Sequence, residues 1–231
     1  MSKRSEQLSR FCTSSDKSHR IRFAAAPVGE LRWQAPQPPV YNRSQVIQAN
    51  AFGSECPQNS DSTGSGPSLV SGGPQGSEDC LFLNVYSPSN ATSLPVLVWI
   101  HGGGYGLGNG QQDMTEIINA NNNDFVAVSI QYRLGAFGFL SSDEVFRKGV
   151  VNAGILDQHF ALQWVQAYIS QFGGNASHVT IMGESAGAGS VMLQDMAYGG
   201  TIGDSLFTNT IAASPYLPMQ YNYDGFVPSQ S

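Results

Sequence analysis

Hydrophobic positions along this chain of 231 residues fall into a few short, dense runs separated by polar and glycine-rich stretches. Four runs read as β-strands bounded by turn residues: 80–86 (CLFLNVY), 95–100 (PVLVWI), 125–130 (FVAVSI) and 179–182 (VTIM). The last three are apolar almost throughout, as expected of strands buried on both faces of a mostly parallel sheet. A weaker fifth run covers 210–213 (TIAA). Between the third and fourth runs the period changes. Leu156, Phe160, Trp164, Tyr168 and Phe172 recur every four residues, joined by Ala161, Val165 and Ile169, while Gln158, Gln163, Gln166 and Gln171 fall mostly elsewhere. That spacing predicts an amphipathic helix with an apolar stripe along one side, stopped by Gly173-Gly174. Strand, helix and strand in alternation predict an α/β sheet with crossover connections.

Composition narrows the class. Charged residues are 12% of the chain, while Gly (26) and Pro (12) are plentiful, which suits a loop-rich globular enzyme. A formal net charge of -6 gives no electrostatic reason to bind nucleic acid. No apolar run approaches the length needed to cross a bilayer. Residues 1–21 read as a polar, disordered leader with Lys3, Arg4, Arg10, Lys17 and Arg20, and without the apolar segment of an export signal. Cys56 and Cys80 bracket a Gly/Ser/Pro-rich stretch that a disulfide would restrain; two unpaired thiols fit the spacing equally well. Cys12, in the leader, reads as a free thiol.

The sharpest chemical signal is Gly183-Glu184-Ser185-Ala186-Gly187, a G-x-S-x-G. The pattern alone is weak, since this composition produces about 0.3 such matches by chance. Its context is stronger: it follows the run at 179–182 directly and precedes the small, helix-compatible residues 186–193. A strand-to-helix turn is where a nucleophile elbow sits, with glycines two residues either side because the turn leaves no room for side chains. Ser185 is then the candidate nucleophile. His101-Gly102-Gly103-Gly104 follows the run at 95–100, and successive glycines let main-chain N–H groups approach a developing oxyanion. Read alone, HGGG is also a flexible turn or a phosphate cradle.

These motifs, with Glu78-Asp79-Cys80-Leu81-Phe82-Leu83-Asn84-Val85 and with Phe172-Gly173-Gly174-Asn175 leading into the elbow, resemble the two signatures of type-B carboxylesterases, the family of cholinesterases and fungal lipases. Ala26-Pro27-Val28-Gly29-Glu30-Leu31-Arg32-Trp33, residues 132–140 and Gly154-Ile155-Leu156-Asp157-Gln158 extend the likeness, which runs from about Arg22 to the C-terminus. The phrasing at 211–218 is most similar to filamentous-fungal members. The resemblance implies an α/β-hydrolase fold over 22–231, here incomplete, and a carboxylic ester hydrolase working through an acyl-enzyme on small-molecule or lipid esters. It implies no cofactor or metal and indicates no partner protein. It assigns Ser185 as nucleophile, Gly103, Gly104 and Ala186 as oxyanion donors, and Glu184 as an acidic neighbour that tunes the field. It pairs Cys56 with Cys80, Arg32 with Glu78 and Arg133 with Asp157. Ser214 is matched to a serine that supports the triad acid.

In this fold the triad runs Ser, then Asp or Glu, then His. After Ser185 the acids are Asp195, Asp204 and Asp224, and no histidine follows. His19, His101, His159 and His178 all precede the nucleophile, and none is placed to serve as base. The chain therefore reads as an N-terminal fragment, inactive or nearly so alone. The alternatives are a non-catalytic cholinesterase-like interaction protein and a short esterase of the hormone-sensitive-lipase type. EDCLFLNV and the missing downstream His argue against the second alternative. Sequons at Asn42, Asn90 and Asn175 are compatible with a secreted parent.

Overall fold

The computed structural model describes residues 17–40, 44, 47–59, 76–201 and 203–218. Their strands are β1 (Lys17–Arg22), β2 (Phe82–Tyr86), β3 (Leu94–Ile100), β4 (Val126–Ile130), β5 (Gly174–Glu184) and β6 (Asn209–Ala213). The helices are α1 (Thr115–Ala120), α2 (Gly135–Phe139), α3 (Asp143–Lys148), α4 (Ala153–Tyr168), α5 (Ala186–Gly200) and α6 (Gly203–Leu206). One sheet takes the order β1-β2-β4-β3-β5-β6. β4, β3, β5 and β6 pair in parallel, while β2 runs antiparallel to both β1 and β4. The expected α/β class and mostly parallel sheet are what the chain forms.

Burial explains the strand composition. Val96, Val98 and Ile100 of β3, Val126, Val128 and Ile130 of β4, and Val179 and Ile181 of β5 enter one core with Leu162, Val165 and Ile169. On the other face, Leu97 and Trp99 pack with Tyr86, Met114, Ile118 and Ala127. With both faces covered, both sets of alternating positions are mostly apolar, and a buried exception, Ser129 of β4, donates from Oγ to Gly110 O at 2.8 Å. The chain goes from β3 to β4 on one side of it, then returns to place β5 on the other. The order therefore reverses at the carboxyl ends of β3 and β5, the usual ligand position in an open α/β sheet.

Four expectations change in detail. Lys17–Arg22 is a strand, so it does not belong to a disordered leader; the rest of that leader, Cys12 included, lies outside the described residues. β1 escapes the hydrophobic pattern because an edge strand is held by backbone pairing and can keep its charges in water. Arg22 lies over the Phe82 ring and pairs with Asp79, and Lys17 pairs with Asp113. β5 begins at Gly174, five residues before its apolar run, because its start pairs Gly174 with Leu94 of β3. The buried stripe of α4 is rotated from the four-residue aromatic row. Gly154, Asp157, Gln158, Ala161, Leu162 and Val165 are buried; of the aromatic row Trp164 is buried as expected, whereas Leu156 and Phe160 are only half-buried and Tyr168 is exposed. Gln158 faces inward because it donates from Nε2 to Ser190 Oγ at 2.9 Å. Finally, α5 continues to Gly200, but Ala197, Tyr198 and Gly199 leave helical geometry.

Three long-range pairings hold the loops. Cys56 and Cys80 are disulfide-bonded. Arg32 pairs with Glu78 through two hydrogen bonds. Arg133 is buried against Asp157, whose carboxylate accepts from its backbone N–H, Nε and Nη2 at 2.7–3.0 Å. Burial raises the Asp157 carboxyl pKa, and the bonds from Arg133 oppose that.

Candidate active site

β5 delivers Ser185 to the carboxyl edge of the sheet, at the point where the strand stops and α5 begins. Ser185 takes φ 58°, ψ -121°, a conformation that costs a non-glycine residue roughly 1–3 kcal/mol and persists only when its surroundings enforce it. The glycines on either side are required by space. A Cβ on Gly183 would lie 2.3 Å from the Gly187 carbonyl, and one on Gly187 would lie 2.1 Å from Ile100 O. β5, α5 and the end of β3 therefore meet through bare backbone.

Both polar groups of the Ser185 backbone are tied down, by three hydrogen bonds. Its N–H donates to Ala213 O at 3.1 Å, and its carbonyl accepts from Gly189 N–H at 3.0 Å and Tyr216 N–H at 2.9 Å. Ser185 Oγ, by contrast, has no hydrogen-bond partner among the described residues. Ala186, the first residue of α5, carries one of the amides that a helix start leaves without an internal acceptor.

The glycine loop lies against this turn. A Cβ on Gly102 would sit 2.5 Å from Glu184 O and 3.1 Å from Ser185 Cβ. Gly103 (φ 104°) and Gly104 (φ 61°) follow in left-handed geometry, both exposed, and neither amide donates to another described residue. Gly103 O accepts from Gly106 and Leu107 N–H, which closes the loop beneath these free amides.

What holds the loop was not visible in the sequence. His101 is buried, stacks on Tyr132 with ring centroids 4.4 Å apart, and donates from Nδ1 to Gly102 O at 2.8 Å. Burial pulls its pKa down to about 4, so the ring is neutral at physiological pH. Tyr132 Oη donates to His101 O at 2.7 Å. Gln58 takes both backbone groups of Gly108, and Asn59 N–H donates to Gly106 O. The segment tethered by the Cys56–Cys80 bridge thus braces the glycine loop. Gln58 and Asn59 stand in a polar stretch with no periodic signal, so only the fold reveals their task.

The structure sets Gly102, the residue before Gly103 and Gly104, against Glu184 and Ser185, with Ala186 next in the chain and Glu184 exposed. It brings no histidine to Ser185. His19 packs on Phe52 and Tyr86, His159 lies in α4 near Tyr198, and His178 meets Asn175. Asp195 lies along α5, Asp204 falls within α6, and Asp224 lies outside the described residues. Ser214 sits in the segment after β6, and no carboxylate among the described residues bonds to it. Among the described residues no His/Cys/Asp/Glu cluster could hold a metal ion, and no helix is long and apolar enough to cross a membrane.

Comparison with known proteins bears on the family. The profile of the Carboxylesterase family matches residues 13–226. A para-nitrobenzyl esterase of Bacillus subtilis is 42% identical over 173 residues, covering 74% of this chain and 35% of its own length. Secreted lipase 1 of Botryotinia fuckeliana is 41% identical over 218 residues, covering 84% of this chain and 38% of its own. The crystal structure of Aspergillus niger EstA superposes with a TM-score of 0.73 at 43% identity, over 85% of this chain and 37% of that one. The chain thus spans little more than a third of the length of these relatives. The profile match over nearly the whole chain, these identities and the shared α/β-hydrolase architecture lead to one assignment: the chain belongs to the carboxylesterase family.

Proposed function

We propose that Ser185 is the acylating nucleophile of a carboxylic ester hydrolase. The observation that carries this reading is the strained Ser185 turn set directly against a glycine loop whose amides are unoccupied. Ser185 Oγ attacks the ester carbonyl, and the carbonyl oxygen becomes an anion. Gly103, Gly104 and Ala186 N–H stabilise that anion; losing one such donor typically costs about 10²–10³ in kcat. Collapse expels the alcohol and leaves an acyl-Ser185 ester, which water hydrolyses. Exposed Glu184 adds negative charge beside the site. The substrate is a small-molecule or lipid ester, as the names of the bacterial and fungal relatives suggest. The name of the Botryotinia relative also supports a secreted parent, as does the exposed sequon asparagine Asn90.

The proton of Ser185 has no acceptor among the four histidines of this chain, each of which is engaged elsewhere. Turnover by these 231 residues therefore needs an added base. The test is hydrolysis of p-nitrophenyl butyrate with and without imidazole, by the wild-type chain and by Ser185→Ala. Imidazole should raise the wild-type rate well above that of the variant. Equal rates at every imidazole concentration would refute the assignment and favour a non-catalytic, interaction-type family member.

A further inference from the structure

The segment after β6 touches the nucleophile turn in a way that the roles above do not use. It crosses the elbow and takes hold of Ser185 at both ends: Ala213 O receives Ser185 N–H, and Tyr216 N–H is given to the Ser185 carbonyl. Between these contacts Ser214 adopts φ 48°, which turns the chain back over α5. Tyr216 O then rests on Gly189, where a Cβ would meet it at 2.2 Å and the Tyr105 hydroxyl at 2.7 Å. Tyr105 follows Gly104 directly, and its ring lies 6.4 Å from that of Tyr216. Glycine loop, elbow helix and crossing segment therefore share one packed point.

Peptide planarity gives this arrangement a consequence. The Ser185 carbonyl and the Ala186 N–H belong to the same rigid unit and point in opposite directions. Holding the carbonyl with Tyr216 N–H and Gly189 N–H fixes where the Ala186 N–H aims, and a carbonyl that accepts hydrogen bonds polarises the N–H across the same amide. We infer that residues 213–216 form a positioning strap, which orients Ala186 N–H as an oxyanion donor by gripping the Ser185 peptide from behind. This inference rests on the reading of Ser185 as nucleophile; the strap contacts themselves do not.

The variants separate the backbone donor from the side chain. Tyr216→Pro deletes the N–H, Tyr216→Phe keeps it, and Gly189→Ala pushes the strap away from α5 while leaving every donor in place. Imidazole-supported turnover of p-nitrophenyl butyrate should fall about 10- to 100-fold in kcat for Tyr216→Pro and Gly189→Ala, part or all of one oxyanion donor. KM should stay within about twofold, because an oxyanion donor acts mainly after attack, and Tyr216→Phe should match wild type. Amide exchange at Ser185 should speed up at least about tenfold in Gly189→Ala, where loss of the strap exposes its N–H. Unchanged kcat in a folded Tyr216→Pro, or unchanged Ser185 exchange in Gly189→Ala, overturns the strap. If Tyr216→Pro shows no cooperative unfolding, Gly189→Ala decides the question. If wild type and Ser185→Ala turn over ester equally, the nucleophile reading fails, and the exchange measurement still decides whether the strap holds the turn.

Discussion

Protonating His101 should cost the fold about 3 kcal/mol, and the structure sets both the size and the sign. The ring is 6% exposed, stacked on Tyr132, with Nδ1 committed to Gly102 O. Burial lowers its pKa from the ordinary 6.5 to about 4, and the bond to Gly102 only partly offsets this. At 1.36 kcal/mol per pH unit, the gap amounts to about 3 kcal/mol. The unfolded chain takes up the proton first, as pH falls below about 6.5. The stabilisation is therefore complete above that value and is lost progressively toward pH 4. Burial also lowers His19 and His159, which push the same way. Urea unfolding of wild type and His101→Gln at pH 7 and pH 4.5 isolates the contribution of His101, since the other groups titrate alike in both proteins. Wild type should lose about 2–3 kcal/mol more than the variant over that interval. Equal acid losses, or an NMR titration of the His101 ring near 6.5, would refute the reasoning and remove the neutral anchor from the glycine loop.

Other outcomes follow from packing and charge. Asp157→Asn leaves the buried Arg133 guanidinium without its counter-ion and should cost about 3–5 kcal/mol, lowering Tm by roughly 6–20 °C in a thermal melt. A small change would mean that water reaches the pair. Gly187→Ala should destabilise by about 1–3 kcal/mol, although Ala is the better helix former, because its Cβ would strike Ile100 O; a raised denaturation midpoint would contradict this. β6 is exposed at Asn209, Thr210, Ile211 and Ala212, with Ile211 46% accessible, and β5 is its only partner among the described strands. Ile211→Lys should therefore raise the soluble, monomeric fraction in light scattering without altering far-UV circular dichroism; unchanged solubility would remove the edge as a cause of association.

Much of the molecule was legible from residue pattern alone. The runs at 95–100, 125–130 and 179–182 read as doubly buried strands, because they are apolar almost throughout, with only Ser129 and Thr180 polar. The order of HGGG and G-x-S-x-G then placed both at strand ends, and the fold put Gly102 against Ser185 as that order requires. Edge strand β1 was not legible, because backbone pairing rather than side-chain burial holds it. Nor was the inward turn of Gln158, a polar residue whose burial depends on Ser190, 32 positions away. The sequence by itself marked Ser185 and its glycines as the candidate site, since that reading rests on residue identity and local turn geometry. Only the tertiary structure decided what secures them. The Gln58 brace, the His101–Tyr132 stack and the strap at 213–216 are contacts between segments far apart in the chain, mostly through backbone groups that every residue carries and no sequence pattern can mark.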